Sequence, residues 1–258
     1  MTSPSTKPTL PPMTRTVWAS AEARKEWEPR IWRASSAWNR VERLRVPHGL
    51  RIAAQQWISI HDYLEFIPWA INNQVTFKVR RWTGAAGAFQ HTSYPEGKDQ
   101  VVVAFGRCHH DLLDKPEELF GYPPCCVANF EKSFPADVDP VLGWAGGALP
   151  FLVDGAMRRS FTPKYPWTSP LLRYLGVRSV PHIPCRHDCA ASHKQAVQYL
   201  DLMDQTTGEG NAEDVQAILE LPVTWDRYRG VVIITTPHFR VVATSSYFPH
   251  HEVLDVTV

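Results

Sequence analysis

With 258 residues, 44% of them apolar and 21% charged, the chain carries enough apolar material for a sizeable core, which excludes global disorder. Its 27 basic and 26 acidic residues leave a formal charge of +1, so the electrostatic footprint of a nucleic-acid or anionic-membrane binder is missing. No apolar run reaches the roughly eighteen residues of a transmembrane helix, and five cysteines without an export signal argue for reduced thiols in a cytoplasmic setting.

Residues 1–16, rich in Pro, Ser and Thr, read as a disordered leader. From Trp18 to Arg45 the pattern is helical, with a break or restart expected near Pro29; Trp27, Ile31, Trp38, Val41 and Leu44 form one apolar face. Arg51 to Ile60 fits strand or helix. Val75 to Trp82 and Gln100 to Phe105 predict strands, joined through the Gly/Ser/Pro-rich stretch 84–98. A short acidic helix is expected near Pro116 to Phe120, a second helix from Pro123, and a Gly-containing apolar stretch over 138–157.

A short helix near Leu171 to Leu175 precedes a long helix expected after Pro184, with Ala190, His193, Ala196, Val197, Leu200 and Met203 on its inner stripe. Asn211 is a candidate cap for the next helix, with Asp214 in its first turn. Val231–Thr235 and Phe239–Ser245 predict a terminal hairpin around Thr-Pro-His, and His250-His251 reads as a solvated tail. Helices and strands mix without regular βαβ alternation. The expectation is therefore α+β: a helix-rich single domain with a small mixed or antiparallel sheet and a C-terminal hairpin. Within it, residues 17–100 read as an N-terminal cap or subdomain and residues 101–258 as a cysteine-motif core.

Four of the five cysteines fall in two compact motifs, each behind a proline. In Gly121-Tyr122-Pro123-Pro124-Cys125-Cys126, proline suits a first helical turn, placing Cys125 and Cys126 at the positive end of a helix. That position favours the thiolate, the form that binds metal or attacks. In His182-Ile183-Pro184-Cys185-Arg186-His187-Asp188-Cys189, the four-residue spacing predicts Cys185 and Cys189 on adjacent turns of one helix face. Four thiolates suit zinc in a closed tetrahedron or a [4Fe–4S] cluster with one thiolate per iron. Adjacent cysteines favour the cluster, because consecutive ligands to one ion strain the backbone.

Around these motifs, His187 is a candidate general acid/base and Arg186 a candidate anion binder, with His182 close to the site. Cys108, His109 and His110 follow the predicted strand 100–105; one of them is a candidate to complete a coordination sphere or act as a base.

Assimilatory adenylyl-sulfate reductases pair a tandem Cys-Cys with a downstream cysteine pair at a [4Fe–4S] cluster, which the present pattern resembles in the site alone. GYPPCC, Leu171 to Gly176 leading into HIPCRHDC, and Leu221-Pro222-Val223-Thr224-Trp225 followed by Thr236-Pro237-His238-Phe239 together resemble an uncharacterised prokaryotic domain family. Its motifs are G-[YI]-P-x-C-C, H-x-P-C-x-x-x-C and L-P-x-x-W…T-P-x-F. The resemblance spans roughly residues 105–245; it implies that the motifs share one domain and supplies no activity.

The leading expectation is a metalloenzyme holding a [4Fe–4S] cluster on Cys125, Cys126, Cys185 and Cys189. Its chemistry would be redox or sulfur transfer on a small organic substrate, with an electron- or sulfur-donor protein as partner. The alternatives are a structural-zinc binding or scaffold protein and a metal-free thiol–disulfide oxidoreductase. No G-x-S-x-G, Walker, G-x-G-x-x-G or H-E-x-x-H pattern is present.

Overall fold

A computed structural model describes residues 14–83, 100–114, 119–133, 157–228, 231–244 and 252–257. Most of the expected acidic helix at 116–120, the loop at 84–98, nearly all of the apolar stretch at 138–157 and the His250-His251 tail lie outside the described residues.

Strand β1 (Thr14–Trp18) leads into helix α1 (Ala21–Leu44), which Ser20 caps by accepting from the Ala23 N–H. The expected leader therefore ends too late: Thr14, Arg15 and Thr16 are paired sheet residues, and residues 1–13 lie outside the described part. The expected break at Pro29 is also absent, since α1 runs through it. Losing one backbone hydrogen bond is outweighed by the buried face of Trp27, Ala34, Trp38 and Val41.

Strand β2 (Ala53–Ser59), helix α2 (Ile60–Asn72), strand β3 (Thr76–Thr83) and strand β4 (Gln100–Gly106) follow. They build a three-stranded antiparallel sheet in the order β2-β4-β3. Val101, Val103 and Phe105 of β4 point to one core with Phe66 and Ala70 of α2. Alternate Ala104 packs on the other face against Leu113 of a 3-10 turn, His110–Asp114. The expected division at residue 100 falls inside this sheet, because β4 pairs with strands from the preceding segment on both sides.

Helix α3 (Pro124–Ser133), strand β5 (Met157–Phe161), helix α4 (Ala190–Thr207) and helix α5 (Asn211–Leu219) come next. Leu171–Leu175 closes as a 3-10 turn that Gly176 ends at φ 78°. Gly210, not Asn211, occupies the cap position of α5; Asn211 instead donates its side-chain amide back to the Thr207 carbonyl at 2.7 Å. Strands β6 (Val223–Tyr228), β7 (Val231–Thr235), β8 (Phe239–Thr244) and β9 (Glu252–Val256) complete the described elements.

The expected β7–β8 hairpin forms, and it belongs to a larger unit than expected. That unit is a six-stranded sheet in the order β1-β8-β7-β6-β9-β5, antiparallel except for the parallel β5–β9 pair. The alternation along β7 turns Val232 and Ile234 into the main core, where they join residues of α1, α4 and α5. The architecture is α+β, with helices packed on one large sheet and a small sheet beside it.

Candidate metal centre

Gly121, at φ 64°, turns the chain into Tyr122-Pro123-Pro124, and α3 begins there. The Pro123 carbonyl accepts from the N–H groups of Cys126 (2.8 Å) and Val127 (3.1 Å). Cys125 and Cys126 thus occupy the opening turn, as the sequence predicts, with Pro124 where no N–H is needed.

The second motif folds differently from the expectation. Pro184 does not start a helix: residues 184–188 form a loop, Cys189 is the N-cap of α4, and α4 begins at Ala190. The Cys189 N–H closes a turn onto the Arg186 carbonyl at 3.2 Å, and His193 N–H bonds to the Cys189 carbonyl at 3.0 Å. A turn brings Cys185 and Cys189 together where a helix face was expected. Gln195 of α4 donates to the Gly121 carbonyl at 2.8 Å, tying α4 to the entrance of α3.

The two motifs meet. Ligand sulfurs of Cys125, Cys126, Cys185 and Cys189 all lie within 4.8 Å of one another and form a set able to bind a metal. Cys125 and Cys126 sulfurs are 3.9 Å apart, Cys125 and Cys189 3.8 Å, and Cys126 and Cys189 3.7 Å. All five cysteines of the chain are free thiols. Cys126 and Cys189 are buried, Cys185 is half-buried and Cys125 is exposed.

Donors converge on the inner sulfurs. Cys126 Sγ accepts from the Cys185 N–H at 3.3 Å and contacts Ser192 Oγ at 3.3 Å. Burial pushes the Cys126 thiol up to about 11 despite these donors, and burial with the neighbouring thiols holds Cys185 above its ordinary value. For Cys189 burial is overcome by the Ser192 hydroxyl and N–H and by Cys185 and Cys126, which bring it down to about 7. Cys189 is thus the thiol held lowest, with Cys126 and Cys185 held high; a bound cation would supply the charge that lets those two ionise.

Ser192 Oγ is also 2.8 Å from His182 Nε2. His182 is buried beside the Tyr122 ring, and burial followed by the Arg51 and Arg45 charges depresses its pKa to about 3. A neutral His182, Ser192 and Cys126 therefore form a hydrogen-bonded chain ending on a sulfur. Behind it, Arg51 and Arg45 both pair with Glu42, and Arg51 donates to the Phe120 carbonyl at 2.5 Å. Nothing in the CxxxC spacing points to Ser192. Its position one helical turn beyond Cys189 is the signal that could have found it.

Other predicted residues stand apart. No histidine nitrogen among the described residues joins the four-sulfur set. His187 is exposed beside the site, and Arg186 is exposed and ion-paired to Asp188 at 3.0 Å. His109 is exposed and paired to Asp111 at 3.2 Å, and His110 is exposed in the same 3-10 turn region. Cys108 packs against the small Ala53–Ala104–Leu113 cluster, where burial raises its pKa. A cleft of about 430 Å³ opens on the outer side of the sulfurs, lined by Cys125, Cys185, Cys189, Arg186, Ala190 and Ala191, with Asn129.

The chain matches no protein-family model, no curated protein and no solved structure. Among the described residues, no helix is long and apolar enough to cross a membrane.

Proposed function

We propose that Cys125, Cys126, Cys185 and Cys189 hold a single zinc ion, and that this centre is the structural clamp fixing α3 to the start of α4 in a binding or scaffold protein. The sulfur spacing carries the reading. Four thiolates at about 2.3 Å from a tetrahedral ion have edges of about 3.8 Å; the three edges among Cys125, Cys126 and Cys189 are 3.7–3.9 Å, and Cys185 brings the whole set within 4.8 Å. Sulfurs on a [4Fe–4S] cube each bind a different iron at a different corner, which mutual contact between them disfavours. The Cys185 N–H and Ser192 hydroxyl on Cys126 are the outer hydrogen bonds that orient a metal-bound thiolate.

The clamp role follows from α3 itself. Cys126 is its one buried residue among those whose exposure is described, and Val127 and Phe130 face outward at 38% and 44% exposure. A ten-residue helix with so little apolar burial is marginal in isolation. A four-coordinate ion gives it an anchor.

Anaerobic purification with zinc, iron and sulfide quantified tests this. Colourless protein with one zinc per chain is expected, and Cys126→Ala and Cys189→Ala should each lose it. Brown protein containing iron and sulfide overturns the reading in favour of a cluster. Metal-free protein with an oxidant-dependent thiol count overturns it in favour of a dithiol oxidoreductase.

A further inference from the structure

We infer that Cys125 is a nucleophilic acceptor for small uncharged alkylating agents that enter the cleft on the outer side of the metal centre. The inference rests on the zinc reading and adds an activity to it.

The four sulfurs are unequal. Cys126 and Cys189 are 2% and 5% exposed, whereas Cys125 is exposed and lines the cleft. Cys126 accepts from the Cys185 N–H and contacts the Ser192 hydroxyl, and Cys189 engages Ser192 as well. Such donors withdraw electron density from a thiolate and weaken its attack. Among the described residues, the bonded contacts of the Cys125 sulfur are with other cysteines. Cys185 lines the cleft as well but is half-buried, so the greatest access and an undamped sulfur coincide on Cys125.

The cleft selects the electrophile. Its volume of about 430 Å³ admits a small organic molecule. Sulfur atoms and the methyl groups of Ala190 and Ala191 dominate its wall, a soft apolar surface. Among the described residues the one charged lining side chain, Arg186, is paired with Asp188 at 3.0 Å, which offsets the charge that would draw in an anion.

In the step, a lone pair on the Cys125 thiolate forms the carbon–sulfur bond while the bond from carbon to its leaving group breaks. The leaving group departs with that electron pair as an anion, and no oxidant or reductant is consumed. The thioether stays on the chain, so the protein takes up one alkyl group per molecule without turnover.

Full-length protein with its zinc content measured is treated with isotopically labelled methyl iodide, and the label is located by peptide mass spectrometry. One methyl group at Cys125 is expected well before Cys108, the half-buried thiol outside the site. Ala191→Leu, which narrows the cleft without touching a ligand, should slow Cys125 labelling several-fold with zinc retained and Cys108 unchanged. Zinc-replete protein that is labelled first at Cys108, or whose Cys125 rate ignores the Ala191 substitution, overturns the inference and leaves the zinc centre standing. Protein without zinc sinks both.

Discussion

Ser192 and His182 show how a buried polar pair is tolerated beside a thiolate site. His182 Nε2 is 2.8 Å from Ser192 Oγ, which in turn contacts Cys126, so the hydroxyl has one neighbour from which to accept and one to which to donate. Burial with the Arg51 and Arg45 charges keeps the imidazole neutral by lowering its pKa to about 3. An unfolded chain has the ordinary histidine value of about 6.5 and takes up the proton first as the pH falls. Stability is therefore full above about pH 6.5 and is lost progressively toward pH 3, by an amount on the order of 4 kcal/mol for this group. Urea midpoints for the wild type and His182→Gln at pH 7 and pH 4 check the sign. The variant should start lower and decline less steeply; parallel declines would mean that the folded protein protonates His182.

At the level of elements, one carboxylate joins the first helix to the last. Asp214, buried in the first turn of α5, accepts from Arg30 Nε at 2.7 Å and Arg33 Nε at 2.8 Å, both on α1. The aspartate also faces the positive end of its own helix. Both arginines reach solvent, so removing the carboxylate leaves cations that can rehydrate. Asp214→Ala should cost about 2 kcal/mol rather than the larger sum of a fully buried triad. Thermal or urea unfolding measures it, and a change within error would show that α1 and α5 are held by apolar contacts alone. Asp214 in a first turn was legible in the sequence, as were the Trp27–Trp38–Val41 face and the helical start at Cys125, because each rests on local spacing. The loop at 184–188 was not, since a proline ahead of CxxxC fits a helix start and a turn equally well and tertiary convergence decides between them. Strand order was equally hidden: β1 lies beside β8 through pairing across most of the chain, which no local period records. The motifs named the four cysteines; that their sulfurs come within 4.8 Å of one another is set by tertiary convergence, which no local spacing records.

Across the described residues apolar packing is distributed unevenly, and the four-sulfur site lies outside both large apolar clusters. The main core draws on α1, α4, α5 and the six-stranded sheet, with Trp38, Tyr199 and Trp225 fully buried. The small sheet has its own core under α2. Among the described residues α3 contributes to neither cluster; its described ties include Cys126 and the sulfur cluster, with the contact of Gly121 and Gln195 just ahead of it. If the four sulfurs hold zinc as proposed, removing it with a chelator should therefore loosen one region rather than melt the protein. Hydrogen exchange is expected to accelerate over residues 122–133 and 182–192, while α1 and the six-stranded sheet keep their protection. The melting temperature of the zinc-bound form should rise with free zinc as mass action requires. Cys126→Ser should reproduce the chelated exchange pattern without a chelator, because it removes the sulfur on which both the Cys185 N–H and Ser192 converge. Unchanged exchange in α3 after complete zinc removal would mean that the helix is held by contacts other than the metal. Uniform acceleration through α1 would mean instead that the site supports the main core as well.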